Sequence, residues 1–213
     1  MREEIILVHG YNKNEKDMLP LMNNLKEFGL NVRTINLPIT FSNFDYCVEL
    51  FAYKIKRILE DKKIEKLHLI GHSTGGLIIK KFIEDTRLIN IGKCILIATP
   101  NKGTKLANIT KDYLPFVIKI FKPIDALIEG NQKISEPKNI PTPEIGCIIG
   151  RKNNLALGIF LSTESDGRVE VESAKDNSMK ECIILNYGHK EIHHQKKVAK
   201  YIYNFIKYGK FEK

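Results

Sequence analysis

The sequence has little that would anchor or cross-link it. No apolar stretch approaches the roughly 18 residues of a membrane span, and the opening "MREEIILVHG" runs from charge straight into a strand pattern without a signal-peptide core. Cysteine is scarce: Cys47, Cys94, Cys147 and Cys182 stand apart in apolar stretches, with no CxxC pair. That spacing argues against a zinc knuckle or a disulfide framework, so the four are expected as buried thiols in a reducing, cytoplasmic chain. Internal repeats and low-complexity linkers are missing too. Arginine is the last shortage, with only six among 34 basic residues under a net charge of +9. Bidentate reading of phosphates and base edges favours arginine over lysine. The lysines of "KKVAKYIYNFIKYGK" also fall between apolar helix positions, as a solvated outer face would. Nucleic acid is therefore not expected as a partner, while weak attraction to an anionic membrane surface stays open.

What is present is enough apolar material for one sizeable core: 213 residues, 43% hydrophobic, which predicts a single domain over 1–213. Six short runs rich in Ile, Leu and Val, at 3–10, 31–38, 66–72, 93–100, 144–150 and 181–188, are apolar on both faces. Parallel strands covered on both sides require that pattern. Between them Leu21, Leu25 and Phe28, then Phe44, Val48, Phe51, Ile55 and Ile58, and finally Val198, Ile202 and Phe205 keep helical spacing. Alternating strand and helix predict an α/β fold: a mostly parallel sheet of about six strands with helices on both faces. Residues 101–143 break the rhythm with apolar helical segments and a Pro-rich tail. They are expected as a small helical cap, or else as a crossover helix with a long loop.

The stretch "LHLIGHSTGG" (67–76) places Ser73 where a strand ends and a helix should begin. Sites in open parallel sheets gather at the carboxyl ends of strands. A tight turn there can lift a hydroxyl clear of the backbone, provided the residues two before and two after carry no side chain, and Gly71 and Gly75 meet that condition. The G-x-S-x-G spacing predicts a nucleophile elbow. A phosphate-binding turn is the rival reading, but neither GxxxxGK[ST] nor GxGxxG is present.

A serine nucleophile needs a base, and the base an orienting acid. His9, His68 and His72 lie within strands or beside glycines and read as structural. His189 follows the last strand after Gly188, on the same sheet edge as Ser73, and is the candidate base. His193 and His194 compete with it, with a solvated helix start as their plainer explanation. The pair His189 and His193 also suggests zinc, but Lys190 stands where H-E-x-x-H needs glutamate, and no third ligand is evident. No metal or other cofactor is expected. Asp166 in "STESDGRVEVESA" is the candidate acid, with Glu164 and Asp176 as substitutes; the same Asp-Gly pair is equally a hairpin-turn signal. For the oxyanion, the amides of Thr74 at the helix start and Tyr11 in the loop after the first strand are the expected donors.

In order and context, "VHGY" (8–11), "GHSTGG" (71–76), "ATPNKGT" (98–104), "SDGRVEVESA" (165–174) and "NYGH" (186–189) resemble the α/β-hydrolase superfamily in its lipase and esterase branch. "TPNKG" and "DGRVxVxSA" are similar to stretches of small bacterial lipases and of lipase-like deacylases that act on lipid anchors. The resemblance implies a Ser73, Asp166, His189 triad with Tyr11 and Thr74 holding the oxyanion, and hydrolysis of small-molecule acyl esters, lipids among them, through an acyl-enzyme. The HGGG of many esterases is missing, so a two-amide oxyanion hole is implied. Within 101–143 the apolar positions, among them Leu114, Phe116, Phe121 and Leu127, are candidates to line an acyl pocket. A thioesterase or acyltransferase would use the same residues, and an inactive hydrolase-fold binding protein would keep the fold without the chemistry.

Overall fold

The computed structural model describes residues 2–86, 88–102, 142–153 and 164–212. Six strands, β1 (Arg2–Val8), β2 (Val32–Ile35), β3 (Ile64–His72), β4 (Ile91–Ile97), β5 (Ile145–Gly150) and β6 (Glu181–Leu185), form one sheet. Their order is β2-β1-β3-β4-β5-β6, with every neighbouring pair parallel. The chain starts near one edge, steps outward to β2, and returns past β1 to build the rest. The reversal between β1 and β3 opens a crevice at the carboxyl ends of those two strands, where ligands enter folds of this kind.

Strict alternation explains the apolar strands. Ile6, Val8, Leu67, Leu69, Cys94 and Leu96 point to one face, where α2 (Phe44–Leu59) and α3 (Thr74–Asp85) cover them. Ile5, Leu7, Ile70, Ile95 and Ile97 point to the other, under α1 (Leu19–Lys26) and the C-terminal helix (Lys196–Tyr208). Each fully buried side chain of this size stabilises the fold by about 1.5–3 kcal/mol. Phe51 of α2 meets Phe82 of α3 edge to face, centroids 5.1 Å apart, an arrangement that adds to burial alone. Local signals set the helix limits. Asn43 caps α2 by accepting from the Tyr46 N–H at 2.8 Å, and Gly209, at φ 72°, ends the C-terminal helix.

The Asp166-Gly167 pair does turn the chain back: an antiparallel bridge joins Ser165 to Glu170, the arm before Glu164 lies outside the described residues, and Val171–Ala174 then forms a helical turn, α4; the C-terminal helix is accordingly α5. The Asp166 side chain takes the Arg168 and Val169 N–H groups for itself, which closes the turn locally. Two sequence expectations need correction. Cys182 is exposed, unlike the other three cysteines, because β6 is an edge strand whose outer positions face solvent. His193 is fully buried, held in a ring stack rather than at a solvated helix start. The cap expected over 101–143 lies, except for its first and last two residues, outside the described residues, and with it Leu114, Phe116, Phe121 and Leu127. Asn101 and Lys102, which lead into it, are docked on α4 by hydrogen bonds to the Ala174 and Ser173 carbonyls.

Candidate active site

Ser73 leaves β3 at φ 53°, ψ −123°, a strained conformation for a residue with a side chain, at a cost of roughly 1–3 kcal/mol. The surroundings over-determine it. Its N–H donates to the Ile97 carbonyl at 2.9 Å, and its carbonyl accepts from Gly76 N–H at 3.0 Å and from the Thr99 hydroxyl at 3.2 Å. A Cβ on Gly71 would lie 2.4 Å from the Gly76 nitrogen, and one on Gly75 would lie 2.5 Å from the His9 carbonyl oxygen. Both positions need glycine because backbone already fills the space.

The turn after β6 brings His189 over the hydroxyl. Its N–H donates to the Asp166 carbonyl at 2.9 Å, its Nδ1–H to Asp166 Oδ2 at 2.8 Å, and its Nε2 accepts from Ser73 Oγ at 3.1 Å. The carboxylate fixes the tautomer, since an ionised carboxylate only accepts. Asp166 Oδ1 is held in turn by the Arg168 and Val169 amides at 2.9 and 2.8 Å. Asp166 and His189 are 1% and 2% exposed, so their bond is shielded from water. Ser73, His189 and Asp166 thus form one hydrogen-bonded chain. The substitutes lie elsewhere: Glu164 is exposed, and Asp176 pairs with Lys80.

Tyr11, from the loop after β1, and Thr74, the first residue of α3, line one cleft beside Ser73. The first amides of a helix have no intrahelical acceptor, and the helix dipole places positive potential there. Ile39, Phe44, Cys47 and Ile78 form the apolar wall of that cleft.

Behind His189 lies an imidazole cluster. His72 Nε2 bonds the His189 carbonyl oxygen at 3.0 Å, and its ring stacks on His193 with centroids 3.9 Å apart and planes inclined by 25°. His193 Nε2 bonds Asp17 Oδ2 at 3.0 Å, and His194 Nε2 reaches the Asp17 carbonyl at 3.2 Å. Burial pushes the His72 pKa well below the usual imidazole value, with the neighbouring imidazoles adding to the effect. Burial lowers that of His193 too, against the opposing pull of Asp17. Burial would raise the Asp17 carboxyl, but hydrogen bonds from His193 and Lys13 outweigh it and hold it below the usual range. Ligand atoms of Asp17, His72 and His193 lie within 4.8 Å of one another. Stacked rings, however, aim their in-plane nitrogens alongside one another rather than at a common point, so the geometry suits a ring stack better than a coordination shell.

The structure brings the three sequence candidates Ser73, Asp166 and His189 together, and sequence reasoning missed what surrounds them. Gly150 ends β5 where a Cβ would lie 2.8 Å from that of Asp166. Asp17 meets His193 across 176 residues of chain. His72 stood out in the sequence only as a neighbour of glycine. The histidines at 9 and 68 are structural, as expected: His9 Nδ1 contacts the Gly10 carbonyl and its Nε2 accepts from Leu37 N–H, while His68 Nδ1 accepts from Lys93 N–H.

Residues 3–107 match the family model described as "Putative serine esterase (DUF676)". No curated protein matches the sequence. Among solved structures, the chain is similar to Bacillus licheniformis lipase BlEst2 in mature form, at 15% identity and a TM-score of 0.75, over 97% of this chain and 91% of that one. It is also similar to a lipase-esterase related protein from Clostridium acetobutylicum ATCC 824, at 20% identity and a TM-score of 0.65, over 96% and 94%. Phospholipase PlaB from Legionella pneumophila matches at 16% identity and a TM-score of 0.55, over 81% of this chain and 45% of that one. The fold is that of the α/β-hydrolases.

Proposed function

We propose that this protein is a serine hydrolase that cleaves carboxylic esters through an acyl-enzyme on Ser73. The observation that carries the reading is the unbroken hydrogen-bond chain from Ser73 Oγ through His189 to Asp166. His189 Nε2 takes the hydroxyl proton as Ser73 Oγ attacks the ester carbonyl carbon. The resulting oxyanion is held by the Tyr11 and Thr74 amides, and losing one such donor typically costs about 2.7–4 kcal/mol of transition-state stabilisation. Collapse breaks the bond to the alcohol, which leaves with the proton from His189. Water then gives its proton to His189 and attacks the acyl carbon, and Ser73 regains its hydrogen as the acid departs. Asp166 orients the ring and balances its transient positive charge.

The cleft walled by Ile39, Phe44, Cys47 and Ile78 offers the acyl chain an apolar surface next to the oxyanion donors. The lipase and phospholipase likenesses agree with lipid esters as the substrate class. No helix among the described residues is long and apolar enough to cross a membrane, and four free thiols suit a reducing compartment. The whole chain is taken as one domain of this kind, with 101–143 as its cap.

The test is hydrolysis of p-nitrophenyl esters of graded chain length, with the matching thioesters alongside, by the wild type and Ser73→Ala. Ester turnover that falls on the order of 10⁴-fold in the variant supports the reading. Turnover that survives the substitution overturns it, and a clear preference for thioesters replaces esterase with thioesterase.

A further inference from the structure

We infer that His72 is a positioning residue: the hydrogen bond from its Nε2–H to the His189 carbonyl oxygen clasps the backbone of the base to the nucleophile elbow. The inference rests on the triad reading of Ser73, His189 and Asp166, and extends it to a group that touches no substrate.

Consecutive residues at the end of β3 reach the same target. Ser73 bonds the His189 imidazole at 3.1 Å, and His72 bonds its carbonyl at 3.0 Å. The Asp166 carbonyl adds a third tether through the His189 N–H at 2.9 Å. The ring is thus held by Asp166 and Ser73, the amide by Asp166 and the carbonyl by His72, and one dipeptide supplies two of these four bonds. A carbonyl oxygen only accepts, so His72 carries its hydrogen on Nε2 and leaves Nδ1 bare. The surroundings agree. Nδ1 is buried without a hydrogen-bond partner and faces Gly10, where a Cβ would come within 3.4 Å of it. Among the described residues no group is placed to accept a hydrogen bond from an Nδ1–H. Burial, which disfavours the imidazolium, keeps the ring neutral. His193 holds the ring plane by stacking and is itself tied to Asp17.

A bare, unpartnered nitrogen in a buried ring is a cost that packing alone does not explain, since phenylalanine would fill the space without it. The clasp gives the imidazole a use. Displacing a catalytic group by about 1 Å lowers rates on the order of 10²-fold. Without the clasp, among the described residues His189 itself keeps only its bonds to Asp166 and Ser73.

The experiment compares His72→Phe with His72→Gln. Phenylalanine keeps the stack on His193 but has no donor, whereas the glutamine side-chain N–H reaches about as far as Nε2–H. Three quantities are measured: kcat and KM on a p-nitrophenyl ester, the rate of Ser73 phosphonylation by a fluorophosphonate, and thermal stability. The clasp predicts that His72→Phe lowers kcat and the phosphonylation rate together, by about 10- to 100-fold, with KM within about twofold. His72→Gln should recover most of both rates even where its melting temperature stays below that of His72→Phe. Wild-type rates in His72→Phe, or rates in the two variants that simply follow their melting temperatures, would overturn it. Nitrogen-15 NMR of the wild type provides a check that no variant's folding can spoil: His72 is expected as the Nε2–H tautomer, and an Nδ1–H tautomer refutes the clasp. A wild type that is not phosphonylated at Ser73 defeats the triad reading instead. Phosphonylation that proceeds equally in wild type and His72→Phe defeats only the clasp.

Discussion

At the scale of single residues, the site depends on places where a side chain is missing. Gly71→Ala would drive a Cβ to 2.4–2.6 Å from the backbone of residues 75 and 76. Overpacking against a well-packed backbone costs typically 1–3 kcal/mol or more, so the variant is expected to melt at lower temperature and lose Ser73 reactivity, as thermal unfolding and fluorophosphonate labelling would show. A normal melt with full labelling would mean that the elbow is looser than its contacts indicate. Asp166→Asn is the electronic counterpart. It preserves shape but removes the acceptor that fixes the His189 tautomer, and kcat should fall on the order of 10³- to 10⁴-fold with the melting temperature little changed. The proposed triad could be picked out in the sequence because Ser73, Asp166 and His189 each sit just past an apolar run or at a turn signal, which puts them at the carboxyl rim of the sheet. Gly150, Asp17 and the role of His72 were not legible, because each depends on a close approach between segments far apart in the chain.

Among elements, strands and helices were readable for the same reason: a sheet covered on both faces needs near-continuous apolar runs, and its helices need one apolar stripe each. The sequence failed at the sheet edge, where β6 alternates between exposed and covered positions and leaves Cys182 exposed. Cys182 is the register partner of Cys147 on β5. The neighbouring Cys147 thiol pulls its pKa below the ordinary thiol value, against the opposing effect of partial burial. Burial pushes Cys94 up to about 12. Iodoacetamide should therefore alkylate Cys182 first in the native protein, with a rate midpoint below the ordinary thiol value and Cys94 untouched, as peptide mapping across pH would reveal. A midpoint at or above the ordinary thiol value would mean that Cys147 does not favour the Cys182 thiolate.

For the whole molecule, the buried histidines make stability depend on pH. Burial holds the pKa values of His72, His193 and, away from the site, His68 below the ordinary 6.5. Their unfolded forms take up protons near pH 6.5 while the folded forms do not, so the unfolded state binds more protons and stability falls as pH drops below that value. Asp17 adds to the loss only under stronger acid, because its carboxyl stays ionised below the usual 3.8. Glu84 works in the opposite sense: burial raises its pKa, so its contribution improves as pH falls toward 4.5. Three histidines against one carboxyl give a net loss. The melting temperature is expected to decline steadily from pH 6.5 to 5, and a flat profile over that range would show that the imidazole cluster is hydrated or charged in solution. The sheet order, the reversal between β1 and β3, and the rim that gathers Tyr11, Ser73 and His189 form one architecture, and its purpose in this account is to make a single alcohol reactive. The most direct measurement is therefore to treat the protein with a fluorophosphonate and locate the adduct by peptide mass spectrometry, in the wild type and in His189→Ala. The account predicts one adduct, on Ser73, formed at least 100-fold more slowly when the imidazole is gone; no adduct, an adduct on another residue, or equal rates in the two proteins would contradict it.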